Sequence, residues 1–102
     1  MQELPRFDFI YSSGLFDYFD DTTFEMAVQA LYSFLDEGGV MAIGNISPED
    51  YSKTVKWYLD DWPLIYRTRE ELLKFVPTDP KPQEVLIETE ITGYNLFLVI
   101  RK

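Results

Sequence analysis

The chain predicts an α/β fold, an open sheet of about four strands, two of them parallel and two forming a C-terminal antiparallel hairpin, with helices packed on it. Three observations carry this. Arg6 to Phe19 (RFDFIYSSGLFDYF) is a short apolar strand stopped by small residues and followed by an aromatic loop. A helix-period stripe then leads to a second apolar run, Val40 to Ile46, giving strand, helix, strand. The tail, Glu84 to Lys102, is a hairpin whose two arms differ in polarity.

In chain order, Met1 to Pro5 is a lead-in without a structural signal, and the first strand rests on Phe7, Phe9, Ile10 and Tyr11, interrupted only by Asp8. Ser12-Ser13-Gly14 ends it. In open parallel sheets ligands sit past the carboxyl ends of strands, so Ser12 to Tyr18 is where chemistry is expected. Thr22-Thr23-Phe24-Glu25 offers a capping box with Thr22 as the cap. Phe24, Ala27, Val28, Leu31, Phe34 and Leu35 then recur at spacings of three and four, an apolar stripe facing a sheet. Gly38-Gly39 is expected to end that helix, with Asp36 and Glu37 unfavourably placed at its negative end.

Val40 to Ile46 is apolar nearly throughout, as a parallel strand covered on both faces would be. Ser47-Pro48-Glu49-Asp50 opens a helix lined by Tyr51, Val55, Tyr58, Leu59 and Trp62 and ended by Pro63. Thr68-Arg69-Glu70-Glu71 opens a short one carrying Leu72, Leu73 and Val76, and residues 77–82 form a proline-stiffened connector. The hairpin turns near Thr92-Gly93. Val85, Ile87, Thr89 and Ile91 alternate with Glu88 and Glu90, an edge strand with one wet face. Leu96 to Ile100 is apolar on both sides, so it belongs between the Val40 and Val85 strands.

Composition narrows the function. Eighteen acids against nine bases give a net charge of −9, which argues against a surface that tracks nucleic-acid phosphates. With no cysteine and no histidine there is no disulfide frame, thiolate metal site, cysteine nucleophile or Ser-His-Asp triad. Any general base would be a carboxylate, tyrosine or lysine. No apolar run approaches the ~20 residues of a membrane helix and no signal-peptide pattern opens the chain, so a soluble cytoplasmic protein is expected.

The Arg6 to Phe19 stretch, followed one helix later by Leu35-Asp36-Glu37-Gly38-Gly39-Val40-Met41-Ala42-Ile43-Gly44-Asn45, resembles the fourth and fifth strand motifs of class I S-adenosylmethionine-dependent methyltransferases. The resemblance implies a partial Rossmann-like sheet with its last strand inserted antiparallel. It covers nearly the whole chain but only the second half of the family's sheet. The family's basic residue and proline before the paired glycines are replaced here by Asp36 and Glu37, and its Gly-x-Gly cofactor loop is absent, the glycines being 14, 38, 39, 44 and 93. The chain therefore resembles the C-terminal portion of a methyltransferase domain, expected to be inactive and to hold S-adenosylmethionine weakly or not at all by itself, with the missing N-terminal half as its partner. The strand at Phe7 then becomes an edge, and a homodimer or swapped assembly through Arg6 to Tyr11 is expected. Gly14 to Tyr18, Gly44-Asn45 and Leu64 to Thr68 look most like bacterial methyltransferases associated with methyl esters of hydroxylated fatty acids. A non-catalytic α/β module binding a protein through the exposed strand edge is the alternative.

By that resemblance Ser12, Ser13 and Leu15 run beside the methionine end of the cofactor, against the alternative of a plain turn. Asp17, Tyr18 and Asn45 would cluster at the crevice and contact a small acceptor, an acyl or carboxylate compound among the candidates, although Tyr18 packed over the first helix is the competing arrangement. Trp62, Tyr66 and Arg67 could close over that acceptor, Arg67 pairing its carboxylate, or Arg67 could form a surface salt bridge. No catalytic residue is assigned. Asp20-Asp21 and Asp60-Asp61 read as helix-end acids rather than a metal site.

Overall fold

The computed structural model describes residues 6–46, 65, 67–90 and 95–102. Four strands form one sheet in the order β1-β2-β4-β3: β1 (Phe7–Ser12), β2 (Leu35–Ile46), β3 (Glu84–Thr89) and β4 (Asn95–Arg101). β1 runs parallel to β2, and β4 runs antiparallel to both β2 and β3. The sequence reading that set the doubly apolar Leu96 arm inside and the glutamate-bearing arm outside is what the pairing shows. The helix lined by Tyr51 to Trp62, its Pro63 stop, the lead-in at residues 1–5 and the turn at Thr92-Gly93 lie outside the described residues.

β1 ends at Ser12, and Gly14 takes a left-handed φ of +82° that turns the chain into a single 3-10 turn, Phe16–Tyr18. Helix α1 (Asp21–Phe34) follows, and here the expected cap is corrected. Asp20, not Thr22, is the N-cap, its Oδ1 accepting the Thr23 N–H at 2.8 Å. An ionised carboxylate is the better acceptor at the positive helix end, so the helix starts two residues earlier.

The end of α1 also differs. It stops at Phe34, and Leu35 already has extended backbone, so Gly38-Gly39 is not its C-cap. The two glycines instead serve the strand. Between Phe7↔Leu35 and Phe9↔Val40 the pairing advances two residues on β1 and five on β2, and Gly38, at φ +84°, makes that excursion possible. The helix end is satisfied from the far end of the chain, where Lys102 Nζ donates to the carbonyls of Tyr32 at 2.9 Å and Leu35 at 2.8 Å. A cation at the negative helix end does the work expected of a glycine cap.

Helix α2 (Arg69–Leu73) has the capping box read from the sequence: Thr68 Oγ1 accepts the Glu71 N–H and Glu71 Oε1 accepts the Thr68 N–H. Leu72 is buried, whereas Leu73 is exposed, because a helix of little more than one turn presents one residue to the sheet. The core lies between one sheet face and these helices. Phe24, Val28 and Tyr32 of α1 meet Met41 and Ile43 of β2 and Leu98 and Ile100 of β4. The expected burial of β2 on both faces holds from Ile43 to Ile46 but not before it. Val40, Ala42, Phe97 and Val99 on the opposite face are only half-buried, beside exposed Phe9, Tyr11 and Leu86. Among the described residues no helix is long and apolar enough to cross a membrane.

Removing the Lys102 amine, as Lys102→Met, takes the charged donor from the Leu35 carbonyl and leaves the Tyr32 carbonyl only the Leu35 N–H, while keeping most of the side chain's apolar stem. A loss of about 1–2 kcal/mol in urea unfolding is expected, with the spectrum of the folded state unchanged.

Candidate functional site

The carboxyl ends of β1 and β2 lie side by side, with Ser12 opposite Ile43, and everything beyond them forms one hydrogen-bonded unit. Its centre is Arg67. The side chain is 1% exposed, and all five guanidinium N–H groups have partners. Nη1 donates to Asn45 Oδ1 at 2.7 Å and to the Phe16 carbonyl at 3.2 Å. Nη2 donates to the Phe19 carbonyl at 2.6 Å and to Asp21 Oδ1 at 3.1 Å, and Nε reaches the same Asp21 oxygen at 3.3 Å. The guanidinium carbon stands 4.4 Å from the Phe24 ring centroid and 5.6 Å from that of Phe75.

Asn45 and Asp17 extend the unit. Asn45 Nδ2 donates to the carbonyls of Ile46 at 2.8 Å and Ile65 at 3.0 Å. Asp17 Oδ1 accepts the Ile46 N–H at 2.6 Å, and its backbone carbonyl accepts the Ile65 N–H at 2.7 Å. The Arg67 N–H in turn reaches the Ile46 carbonyl at 3.0 Å. The chain thus leaves β2 at Ile46 and is fastened beside it again at Ile65 and Arg67.

Burial raises the Asp17 carboxyl above its ordinary 3.8, opposed by the Ile46 N–H bond and the nearby Arg67 charge. Asp20 moves the other way, its carboxylate favoured by the Thr23 bonds.

The residues expected at the crevice therefore divide. Asp17, Asn45 and Arg67 come together, but as its buried floor. The surface salt bridge envisaged for Arg67 is corrected, since the arginine is inside and only Asp21 of that pair is exposed. A carboxylate acceptor would find no unbonded guanidinium N–H on it. Tyr18 is 48% exposed and Leu15 55% exposed, and beside them Ser13 is exposed and Ser12 half-buried. Trp62 and Tyr66 lie outside the described residues. Sequence reasoning missed Asp21 as the carboxylate that meets Arg67. The available signal was a basic residue after an apolar stretch, Leu64-Ile65-Tyr66, which surface chemistry does not explain.

No family model matches the sequence, and no curated protein matches it. Solved structures do match. An O-methyltransferase family protein from Burkholderia thailandensis is similar at 12% identity and a TM-score of 0.72, over 96% of this chain and 31% of that one. Magnesium protoporphyrin IX methyltransferase from Synechocystis PCC 6803, with bound SAH, is similar at 11% identity and a TM-score of 0.65, over 99% and 47%. The 1,6-didemethyltoxoflavin-N1-methyltransferase of Burkholderia thailandensis, with 1,6-didemethyltoxoflavin and S-adenosylhomocysteine bound, is similar at 14% and 0.65, over 100% and 46%. The chain spans less than half the length of each. These likenesses show the fold: a mixed α/β sheet of the kind found in S-adenosylmethionine-dependent methyltransferases.

Arg67→Met should lower unfolding free energy by about 3–5 kcal/mol, because it strands Asn45 Oδ1 and the Phe19 carbonyl without donors and leaves the Phe16 carbonyl only the Phe19 N–H. Arg67→Lys should recover less than half of that, since an ammonium cannot reproduce the planar fork. Asp17 gives a pH test with a defined sign. Its folded-state pKa lies above the unfolded one, so ionisation opposes folding, and the wild type should gain stability relative to Asp17→Asn as pH falls from neutral towards the ordinary carboxylate value. Urea midpoints of both chains between about pH 7 and pH 4 read this directly, and a difference that stays constant or moves oppositely would contradict it.

Proposed function

We propose that this chain supplies the C-terminal portion of a S-adenosylmethionine-dependent methyltransferase domain, the part that presents the acceptor side of the crevice. The observation that carries the reading is the sheet order β1-β2-β4-β3 with β4 antiparallel between its neighbours and an open Ser12-to-Leu15 rim at the carboxyl end of β1. The spans of 31% and 47% on the matched methyltransferases agree with a partial domain.

The residues present suit one end of the cofactor. Ser12 and Ser13 offer hydroxyls and Leu15 an exposed apolar side chain, fitting the amphipathic methionine end. The nucleoside end has no glycine-rich loop in this sequence, so affinity of the chain alone is weak and its activity absent. Bound in a complete domain, the cofactor supplies an electrophilic methyl group on a sulfonium. This chain's contribution is positioning: Asp17, Asn45 and Arg67 hold the floor, and exposed Tyr18 orients a small acyl or carboxylate acceptor by its hydroxyl. The resemblance of the Gly14-to-Tyr18 and Gly44-Asn45 stretches to methyltransferases associated with methyl esters of hydroxylated fatty acids supports that acceptor class. A second reading, a non-catalytic interaction module, is favoured by the exposed aromatics of β1 at the sheet edge.

Titrating the labelled chain with S-adenosylhomocysteine should shift the amide signals of Ser12 to Tyr18 and of Asn45 and Ile46, with a Kd of about 1 mM, near −4 kcal/mol. Shifts scattered over β3 and α2, or none at several times about that concentration, would refute the cofactor-site reading.

A further inference from the structure

Beside β3, on the sheet edge opposite β1, residues 76–85 enclose a hollow of about 320 Å³ lined by Val76, Pro77, Thr78, Lys81, Pro82 and Val85. It is remote from the crevice along the sheet as well as across it. Val85 pairs with Ile100 at one end of β4, whereas the crevice end of that strand is marked by Asn95 opposite Ile46.

The walls follow from the sequence. Pro77 is buried, and Val76 and Val85 are partly buried against the core, so the floor is apolar and continuous with it. Pro77, Pro80 and Pro82 have fixed φ angles and no main-chain N–H, so the connector can neither continue α2 nor lay a regular strand on β3, and it stands off as a stiff wall. That wall is tied down twice: Tyr32 Oη donates to the Pro80 carbonyl at 2.7 Å, and the Gln83 N–H donates to the Arg101 carbonyl at 2.8 Å. The hollow is thus held open before any ligand arrives, which removes an ordering cost from binding.

Its polar side chains are unengaged. Thr78 and Lys81 are exposed, and neither side chain forms a hydrogen bond or ion pair with another described residue. Lys81 also lines a neighbouring hollow with Arg6, Gln83 and Lys102, where Glu37 is the acid among the lining residues, although the whole chain has twice as many acids as bases. Arg6 is loosely paired with Asp36 at 3.9 Å, and Lys102 Nζ is bound to two carbonyls. Of these three cations Lys81 is therefore the one open to a new partner.

The geometry points to a small aliphatic carboxylate as the occupant, its chain on the apolar floor and its head on the Lys81 ammonium, with the Thr78 hydroxyl as a second donor. The chemistry selects against other ligands. A peptide strand would need main-chain N–H partners that the prolines do not supply, and a cation would meet Lys81. The volume of about 320 Å³ is at the small end of ligand cavities, room for one short chain. The hollow shares no residue with the Arg67 network or the Ser12-to-Tyr18 rim, and it stands whether or not the methyltransferase reading does.

Titrating the labelled chain with sodium octanoate near neutral pH tests the assignment. Amide signals of Val76, Thr78, Lys81 and Val85 should shift, with a Kd on the order of 1 mM, while those of Ser12 to Tyr18 stay in place. From butanoate through hexanoate to octanoate the affinity should rise about fourfold per methylene until the hollow is full. Lys81→Gln, at an exposed position without a described partner, should weaken octanoate by about threefold or more and leave octanamide unchanged. No shift at about 10 mM octanoate, shifts centred on β1 or the crevice, equal affinity for the three chain lengths, or an unchanged octanoate affinity in Lys81→Gln would overturn the proposal.

Discussion

Arg67 carries a full positive charge to a place where it is 1% exposed, and the crevice end of the fold is arranged so that this is tolerable. Taking a guanidinium out of water costs several kcal/mol unless every N–H is bonded and an opposite charge is near. Both conditions are met by residues from different parts of the chain: the 3-10 turn and the loop after it through the Phe16 and Phe19 carbonyls, α1 through Asp21, and β2 through Asn45. The aromatic faces of Phe24 and Phe75 replace solvent on the remaining surface. Because the arginine is an acceptable core residue only when all these segments are in place, it ties them into one cooperative unit.

The same unit explains why Asp17 is tolerated underneath. A buried carboxylate beside an unpaired main-chain donor would be two defects; together, the Asp17 oxygen and the Ile46 N–H cancel most of each other's desolvation, and the charge of Arg67 lies close by. The balance is incomplete: burial outweighs the Ile46 N–H bond and the Arg67 charge, and the Asp17 carboxyl is held above its ordinary range. A carboxyl in that condition has to be needed for its place rather than for its energy, and its place is at the splice where β2 ends and residues 65 and 67 return.

What the sequence displayed and what it hid follow a physical division. Strand order was legible because one hairpin arm alternates Val85, Ile87 and Thr89 with glutamates while the other, Leu96 to Ile100, does not alternate, and only a central strand needs apolar residues on both sides. The Thr68 capping box was legible because all its groups lie within four residues. The end of α1 was not, because its carbonyls are satisfied by Lys102, about seventy positions away, and the nearby glycines were claimed by a strand excursion instead. Arg67 was hidden for the same reason: its partners Phe16, Asp21 and Asn45 come from three distant stretches, and local pattern ranks an arginine as surface.

The residues beyond the carboxyl ends of β1 and β2 therefore divide by depth. Asp17, Asn45 and Arg67 have their hydrogen-bonding capacity turned on one another, and a ligand that drew on Arg67 would have to break an existing bond to a carbonyl or carboxylate, gaining little net. Ser13, Leu15 and Tyr18 are at the rim, backed by a floor that does not need them to fold. The exposed side chains can change without disturbing the network that joins the carboxyl ends of β1 and β2. In the methyltransferase reading proposed above, that division would put specificity in the exposed side chains after β1 rather than in the charged residues beneath them.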